Sequence, residues 1–302
     1  MVSNEAPPVA KEVTLGGHTV VADRRRLLAW YEPRREAYPW RSREPDPYVV
    51  LVSEVMLQQT QAPRVVPIFE AFLARFPHVR ALAAAPVSDV IVAWAGLGYH
   101  RRAVALHRSA RAIVEEHRGE VPRGLGALRA LPGVGPYTAS AVASIAFGEP
   151  VAAVDTNVRR IAARYLLGRE ADEPPPGDVG RAADAWVPRV GSGDWNQALM
   201  DLGRDVCRPR PRCDACPLRA CRFRAAGRRG GPSSRRQPPF EGSLRQVRGR
   251  VLAALRAAPS TSEAALVGDL AESPERVAAA VAGLVDDGLA ATDRDGRISL
   301  AS

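Results

Sequence analysis

Lysine is almost missing from this sequence of 302 residues: of its 42 basic side chains only Lys11 carries a primary amine, and the rest are arginine. A Schiff base needs such an amine and a guanidinium cannot supply one, so imine chemistry through lysine is excluded from every motif beyond the N-terminal tail. Long apolar runs are also missing. No stretch reaches the roughly 18 uninterrupted apolar residues of a membrane span, and the N-terminus holds no signal-peptide core, so a cytoplasmic protein with no membrane partner is expected. Aromatic residues make up only 6% while alanine and leucine abound, which favours helices over sheet. Cysteine is scarce and confined: all four lie between Cys207 and Cys221, too tight for a disulfide framework and typical of a metal site in a reducing compartment. What the chain has in excess is positive charge, a formal +9, which favours a polyanionic partner.

Periodicity predicts a helix near Ala22 to Tyr31 after a loose tail over 1–22, then a loop rich in proline and charge up to Pro47. Helix follows helix from Tyr48 to about Phe147, with short Pro/Gly breaks. Pro174, Pro175 and Pro176 predict a rigid connection over 172–180, after which helices resume at Asp184 to Trp186 and Asn196 to Cys207. Gly227 to Pro239, dense in Arg, Gly, Pro and Ser, is the clearest linker. Beyond Ser243, three short helical patterns precede an alternating stretch, Ala290 to Leu300, broken by Asp295 and Gly296 as a hairpin turn. Helices followed by a hairpin describe a small winged-helix-like domain.

The run LPGVGPYTASAVASIAFG places Gly133 and Gly135 between two helical patterns, with Pro136 opening the second. Glycines let backbone N–H groups approach a ligand, and the positive end of a helix faces the turn, so a phosphate fits there; an ordinary helix–helix turn is the plainer reading. Some twenty residues on, DTNVRR sets Asp155 before another helix with Asn157, Arg159 and Arg160 in its first turn. Asp155 reads as a simple N-cap or as a carboxylate facing the sugar of a nucleotide held by the hairpin. In YVVLVSEVMLQQTQ, Glu54 has apolar neighbours on every helical face, an environment that keeps a carboxyl protonated as a general acid requires; pairing with an arginine such as Arg64 is the alternative. Gln58, Gln59 and Thr60 beyond it suit base edges or a solvated helix end equally well. Cys207, Cys213, Cys216 and Cys221, with gaps of five, two and four residues, form one compact loop that favours a 4Fe–4S cluster over zinc.

Taken in order, VSEVMLQQTQ, GLGY, LPGVG, DTNVRR, NQALMDLG and the cysteine loop resemble the MutY-type adenine DNA glycosylases of the helix-hairpin-helix superfamily, over Leu28 to Arg224. The resemblance implies an all-α, two-lobed helix-hairpin-helix glycosylase fold with an iron-sulfur cluster loop and DNA lying between the lobes. It implies a tail and helix over 1–47 that join the cluster domain, a six-helix barrel with the hairpin over 48–148, a cluster domain over 149–226 and a linker over 227–242. The winged-helix-like domain over 243–302 stands where many family members carry a Nudix-like domain. By the same resemblance Glu54 is the acid that protonates adenine at N7, and Asp155 the carboxylate that stabilises the oxocarbenium-like sugar. Tyr137 and Asn157 support the sugar and Asp155. Trp40, Leu57, Gln197 and Met200 line the adenine pocket, Gln59, Thr60 and Tyr99 meet the base stack, and Gly133, Gly135 and Arg159 meet the DNA backbone.

Lyase relatives such as endonuclease III place a lysine where this sequence has Tyr137, so a monofunctional hydrolase is expected. The partner implied is double-stranded DNA with adenine opposite 8-oxoguanine or guanine, met by a monomer in a bacterial nucleoid. A mismatch-specific thymine glycosylase and a non-catalytic DNA binder with a metal staple are the competing readings. The cysteine gaps are one shorter than the family's usual six and five at the first and third intervals, and His100 stands where a second tyrosine is common. Ser262 to Ser302 holds eight acidic residues and three arginines, a net of −5, which repels phosphate; this domain is expected to pack on the body or meet a protein partner.

Overall fold

The computed structural model describes residues 14–15, 18–231 and 239–302, with side chains from residue 21 onward. Most of the expected tail and the centre of the expected linker lie outside the described residues. Two paired antiparallel two-residue strands, β1 (Thr14–Leu15) and β2 (His18–Thr19), precede helix α1 (Val20–Tyr31). A long loop then reaches α2 (Pro47–Leu57), α3 (Ala62–Arg75), α4 (Val79–Ala84), α5 (Val87–Ala93), α6 (Arg101–Glu116), α7 (Leu125–Ala130) and α8 (Pro136–Phe147). Next come α9 (Thr156–Ala162), which runs into a π-helical turn over Ala163–Leu167, then α10 (Pro176–Trp186), α11 (Ser192–Asp205) and the short α12 (Arg222–Ala225). The C-terminal segment holds α13 (Leu244–Ala257), β3 (Thr261–Ser262), α14 (Glu263–Leu270), α15 (Pro274–Asp286), β4 (Ala290–Thr292) and β5 (Arg297–Leu300). No described helix is long and apolar enough to cross a membrane.

The chain divides into two units, one of 1–50 with 135–234 and one of 51–134 with 235–302. Helix α8 falls in the first unit with the later helices: Gly193 of α11 approaches it so closely that a Cβ there would lie 3.0 Å from Ile145 Cα. The first unit is built around α11. Its buried Trp195, Leu199 and Leu202 pack with Leu27 and Tyr31 of α1, Ile161 of α9 and Trp186 of α10. Trp186 stacks on Tyr165 at 4.6 Å and meets Trp195 edge-on at 4.8 Å, geometries that add to the large apolar area such rings bury. One correction concerns the proline run. Helix α10 begins within the stretch read as a rigid connection, because Pro176 occupies its first turn, where the missing N–H costs nothing.

In the second unit Phe72 is fully buried and meets Phe76 and Trp94 edge-on, at 4.9 and 5.9 Å. The C-terminal segment adds a helix, a strand, two helices and a hairpin, with β5 paired antiparallel between β3 and β4. Gly296, at φ 74°, makes the hairpin turn, and the Asp293 carboxylate accepts from the Asp295 and Arg297 N–H groups at 3.0 and 2.9 Å. Sequence periodicity anticipates the helices and this hairpin but not β3, whose two residues are too few to show alternation.

Candidate active site

In the first unit the polar residues converge along α11. Asn196 is fully buried: its Oδ1 accepts from Ala153 N at 3.0 Å and its Nδ2 donates to Val151 O at 2.9 Å, fixing the extended segment that enters Asp155. Asp155 is the N-cap of α9, as the plainer reading held. Its Oδ1 accepts from Val158 N at 2.6 Å, and its Oδ2 accepts from Asn157 Nδ2 at 3.1 Å. Burial pushes its pKa above the ordinary aspartate value, with those two donors opposing the rise.

Asn157 is set in turn by Arg160, which donates to its Oδ1 at 2.7 Å and to the carbonyls of Gly203 and Cys207 at 2.9 and 2.6 Å. A Cβ on Gly203 would lie 2.5 Å from Asn157 Cβ, so only glycine lets α11 pass this close. Further along α11, buried Gln197 accepts from the Tyr31 hydroxyl at 3.0 Å, and burial pushes the Tyr31 pKa up to about 12, so the phenol stays a donor. The Tyr137 hydroxyl lies 3.9 Å from Met200 Sδ. Asp201 takes a bidentate pair from Arg41, at 2.8 and 2.9 Å, and Arg41 lies over the Tyr38 ring on which Trp40 stacks at 4.9 Å. Tyr137, Gln197 and Met200 are thus tied to one helix, and Trp40 joins them through its neighbour. Arg159 donates to Ala171 O at 3.0 Å, a structural bond that occupies its Nε.

In the second unit Glu54 lies in the middle of α2, 6% exposed, with the neighbouring Leu51, Val55 and Met56 also buried. Leu57 ends the helix and is half-buried. The chain then turns through Gln59, which holds φ 57°, a left-handed conformation unusual for a side chain of this size. Tyr99 does the same at φ 47° and is 46% exposed. One residue that sequence reasoning missed joins these two strained turns. Arg102 donates through Nη1 to the carbonyls of Val55 and Met56, both at 2.9 Å, and of Gln58 at 2.5 Å. Through Nη2 it reaches Thr60 Oγ1 and Gly98 O, both at 3.1 Å. It therefore caps the orphan carbonyls at the end of α2 and holds the Tyr99 turn to them. Burial pulls its pKa down to about 10, which still leaves it charged at neutral pH.

At the hairpin, Gly133 holds φ 76° and a Cβ there would come within 2.6 Å of Ala105 Cβ, so packing on α6 already requires glycine. Gly135 is different. Its φ is −78° and nothing lies within 4 Å of an added Cβ, so neither conformation nor packing within the chain calls for glycine. The missing side chain leaves the backbone at this position open to close approach.

The cysteine loop is braced at both ends. Buried Arg164 donates to the carbonyls of Arg208 and Pro209 at 2.6 and 2.8 Å and pairs with Glu170. Asp23, fully buried, accepts from the N–H groups of Arg219 and Ala220, both at 2.7 Å, and from the Tyr165 hydroxyl. Cys207, Cys216 and Cys221 face the unit's core. Burial pushes the Cys216 thiol up to about 12 and raises those of Cys207 and Cys221, with the neighbouring cysteines adding to each. Among the described residues no three Cys, His, Asp or Glu side chains are grouped closely enough to hold an ion as they stand. The donor set itself, four sulfurs on a braced loop, suits a group bound by thiolates.

Comparison with known proteins identifies the family. The model of the HhH-GPD superfamily base excision DNA repair proteins matches residues 52–189. The adenine DNA glycosylase of Mycobacterium tuberculosis is 42% identical, covering 97% of this chain and 98% of its own. That of Mycolicibacterium smegmatis is 41% identical, covering 91% and 94%. Among solved structures, a thermostable thymine-DNA glycosylase matches with a TM-score of 0.63 at 31% identity, over 68% of this chain and 97% of its own. Endonuclease III in a non-covalent DNA complex matches with a TM-score of 0.57 at 26% identity, over 70% and 98%. The mycobacterial matches extend into the C-terminal segment. This chain belongs to the HhH-GPD superfamily of base excision DNA repair proteins, within its adenine DNA glycosylase family.

Proposed function

We propose that the protein removes adenine from mispairs in duplex DNA, with 8-oxoguanine or guanine opposite, and does so by hydrolysis as a monomer. The observation that carries this reading is a pair of carboxyl groups withdrawn from solvent, Glu54 6% exposed on α2 and Asp155 with its pKa raised by burial. Two such groups with divided roles are what cleavage of a glycosidic bond requires. Glu54, protonated, gives its proton to N7 of the adenine, so that the C1′–N9 bond breaks with its electron pair leaving on the base. The Asp155 carboxylate, held by Val158 N–H and Asn157, stabilises the positive charge that develops on the sugar. Water then adds to C1′ and gives up a proton, which through solvent returns Glu54 to its acid form. Tyr137 supports the sugar, while Trp40, Leu57, Gln197 and Met200 receive the base, the Gln197 carboxamide reading its edge.

Extruding a base costs a few kcal/mol and is cheaper at a mispair, so Gln59, Thr60 and Tyr99 on their two turns are assigned to the gap and its neighbours. Gly133, Gly135 and Arg159 are assigned to backbone phosphates. No lysine follows Lys11, so strand cleavage through a side-chain imine is not expected. The test is incubation with duplexes holding A opposite 8-oxoguanine, A opposite G, and T opposite G, followed by hot alkali. Breaks at the adenine positions are expected; breaks at T alone would make this a thymine enzyme, and none at all would leave only a DNA binder.

For the cysteine loop we propose that Cys207, Cys213, Cys216 and Cys221 hold a 4Fe–4S cluster. When bound it supplies metal–sulfur bonds that tie the loop together, a structural contribution. The prediction is iron and acid-labile sulfide in the purified protein, with broad visible absorbance lost in Cys216→Ser. Zinc without iron would contradict it. Residues 243–302 we read as a winged-helix-like domain; its acidic side chains are in part neutralised within the fold, Glu272 by Arg250 and Arg276, and Asp287 by Arg248 and Arg101.

A further inference from the structure

Excision of a base does not by itself explain the C-terminal segment. In the second unit that segment shares one apolar core with the body: Val251 and Leu255 of α13 and Leu284 of α15 cluster with Ile91 of α5 and Val104 of α6. Helix α6 starts immediately after Tyr99 and His100, and two polar contacts reach its start from the C-terminal segment. Arg256 Nη1 lies 3.4 Å from His100 Nε2. Burial, with Arg256 and Arg102 adding to it, pulls the His100 pKa down to about 4, so the imidazole is neutral and its Nε2 is available as an acceptor. Arg101 Nε lies 3.2 Å from Asp287 Oδ1, and Asp287 is also held by Arg248. At the next residue a Cβ on Gly288 would come within 3.1 Å of Arg108 Nη2, so the end of α15 sits directly against α6.

We propose that Arg256 and Asp287 are positioning residues for the Tyr99 turn. They grip the two residues that follow Tyr99, so that the turn's left-handed conformation is held from the far side by side chains that touch no DNA. Arg102 fixes the turn from within the body, and the C-terminal segment fixes it from outside. This inference rests on the reading of Tyr99 as a residue that meets the base stack of a mispaired duplex. It gives the acidic segment a role that its charge permits, since Asp287 pairs with Arg101 whereas a net negative charge would repel phosphate.

The test uses the full chain with Arg101→Gln, Asp287→Asn and the two combined, alongside Arg256→Gln. Hydrogen exchange of residues 96–102 and binding to mispaired against matched duplex are measured with the thermal midpoint. An ion pair with one exposed partner is worth up to about 1 kcal/mol, or about fivefold. Each single substitution should therefore speed exchange and narrow mispair discrimination by about three- to fivefold while lowering the midpoint by no more than about 4 °C. The combined variant should be no worse than either alone, and Asp287→Glu should restore the parent behaviour. Unchanged exchange over 96–102 in folded variants would overturn the proposal, as would additive losses. If Asp287→Asn fails to fold, Arg101→Gln decides, because that side chain is 77% exposed. Failure of the parent to release adenine would strike the glycosylase reading, while the exchange measurement would still decide whether the turn is held.

Discussion

Glu54→Gln is expected to release adenine at least about a thousandfold more slowly than the parent, while binding mispaired duplex about as well. Glutamine keeps the size and shape of the side chain and removes only the dissociable proton. General acid catalysis contributes about 10²- to 10⁴-fold, and the upper part of that range applies because adenine is a poor leaving group unless protonated. A buried site also offers few substitutes: Glu54 is 6% exposed with buried apolar neighbours in the chain. Single-turnover base release and duplex Kd, measured together, separate the two functions. Substantial release by the glutamine variant would mean that another group delivers the proton.

Asp155→Asn is expected to slow release by about 10²- to 10³-fold, the range found when one preorganised electrostatic partner is removed. The substitution is mild structurally. Asparagine caps helices as well as aspartate does, so the Val158 N–H keeps its acceptor. Its amide then faces the Asn157 Nδ2 donor, a mismatch that costs about 1 kcal/mol. Removal of a half-buried charge offsets this loss. The sign follows from the raised pKa: the folded protein holds this proton more tightly than the unfolded chain. The stability Asp155 contributes is therefore lost as pH rises through the folded pKa, and at pH 7 the ionised group is a burden that Asn removes. Activity has the opposite dependence. Asp155 must be ionised to act, so kcat/KM should fall on acidification at a pH above the ordinary aspartate value of 3.8. An acid limb at or below that value would contradict the assignment.

How much of this was legible in the sequence depends on the separation over which each contact acts. Asp155, Asn157 and Val158 are near neighbours, so the cap and its carboxylate are written in DTNVRR. The cysteine loop and the hairpin glycines are equally local. Arg102 was not legible, because it is one arginine among many and its partners at Val55 to Thr60 lie more than forty residues away. The same holds for Asp23, whose bonds to Arg219 and Ala220 span 196 and 197 residues. Asn196 stood inside a recognised motif, yet its work is done on Val151 and Ala153, which carry no polar side chains to signal it. Helix α10 was misplaced for a different reason: a proline run looks the same whether it stops one helix or starts the next.

The account stands on Glu54 and Asp155 acting in one bond-breaking event, and the measurement nearest to that claim is single-turnover adenine release by Glu54→Gln, Asp155→Asn and the double variant. If both groups serve the same transition state, the double variant should be little slower than the slower single, because removing one leaves the other little to contribute. Losses that multiply in full, or a double variant that still releases adenine near the parent rate, would contradict it.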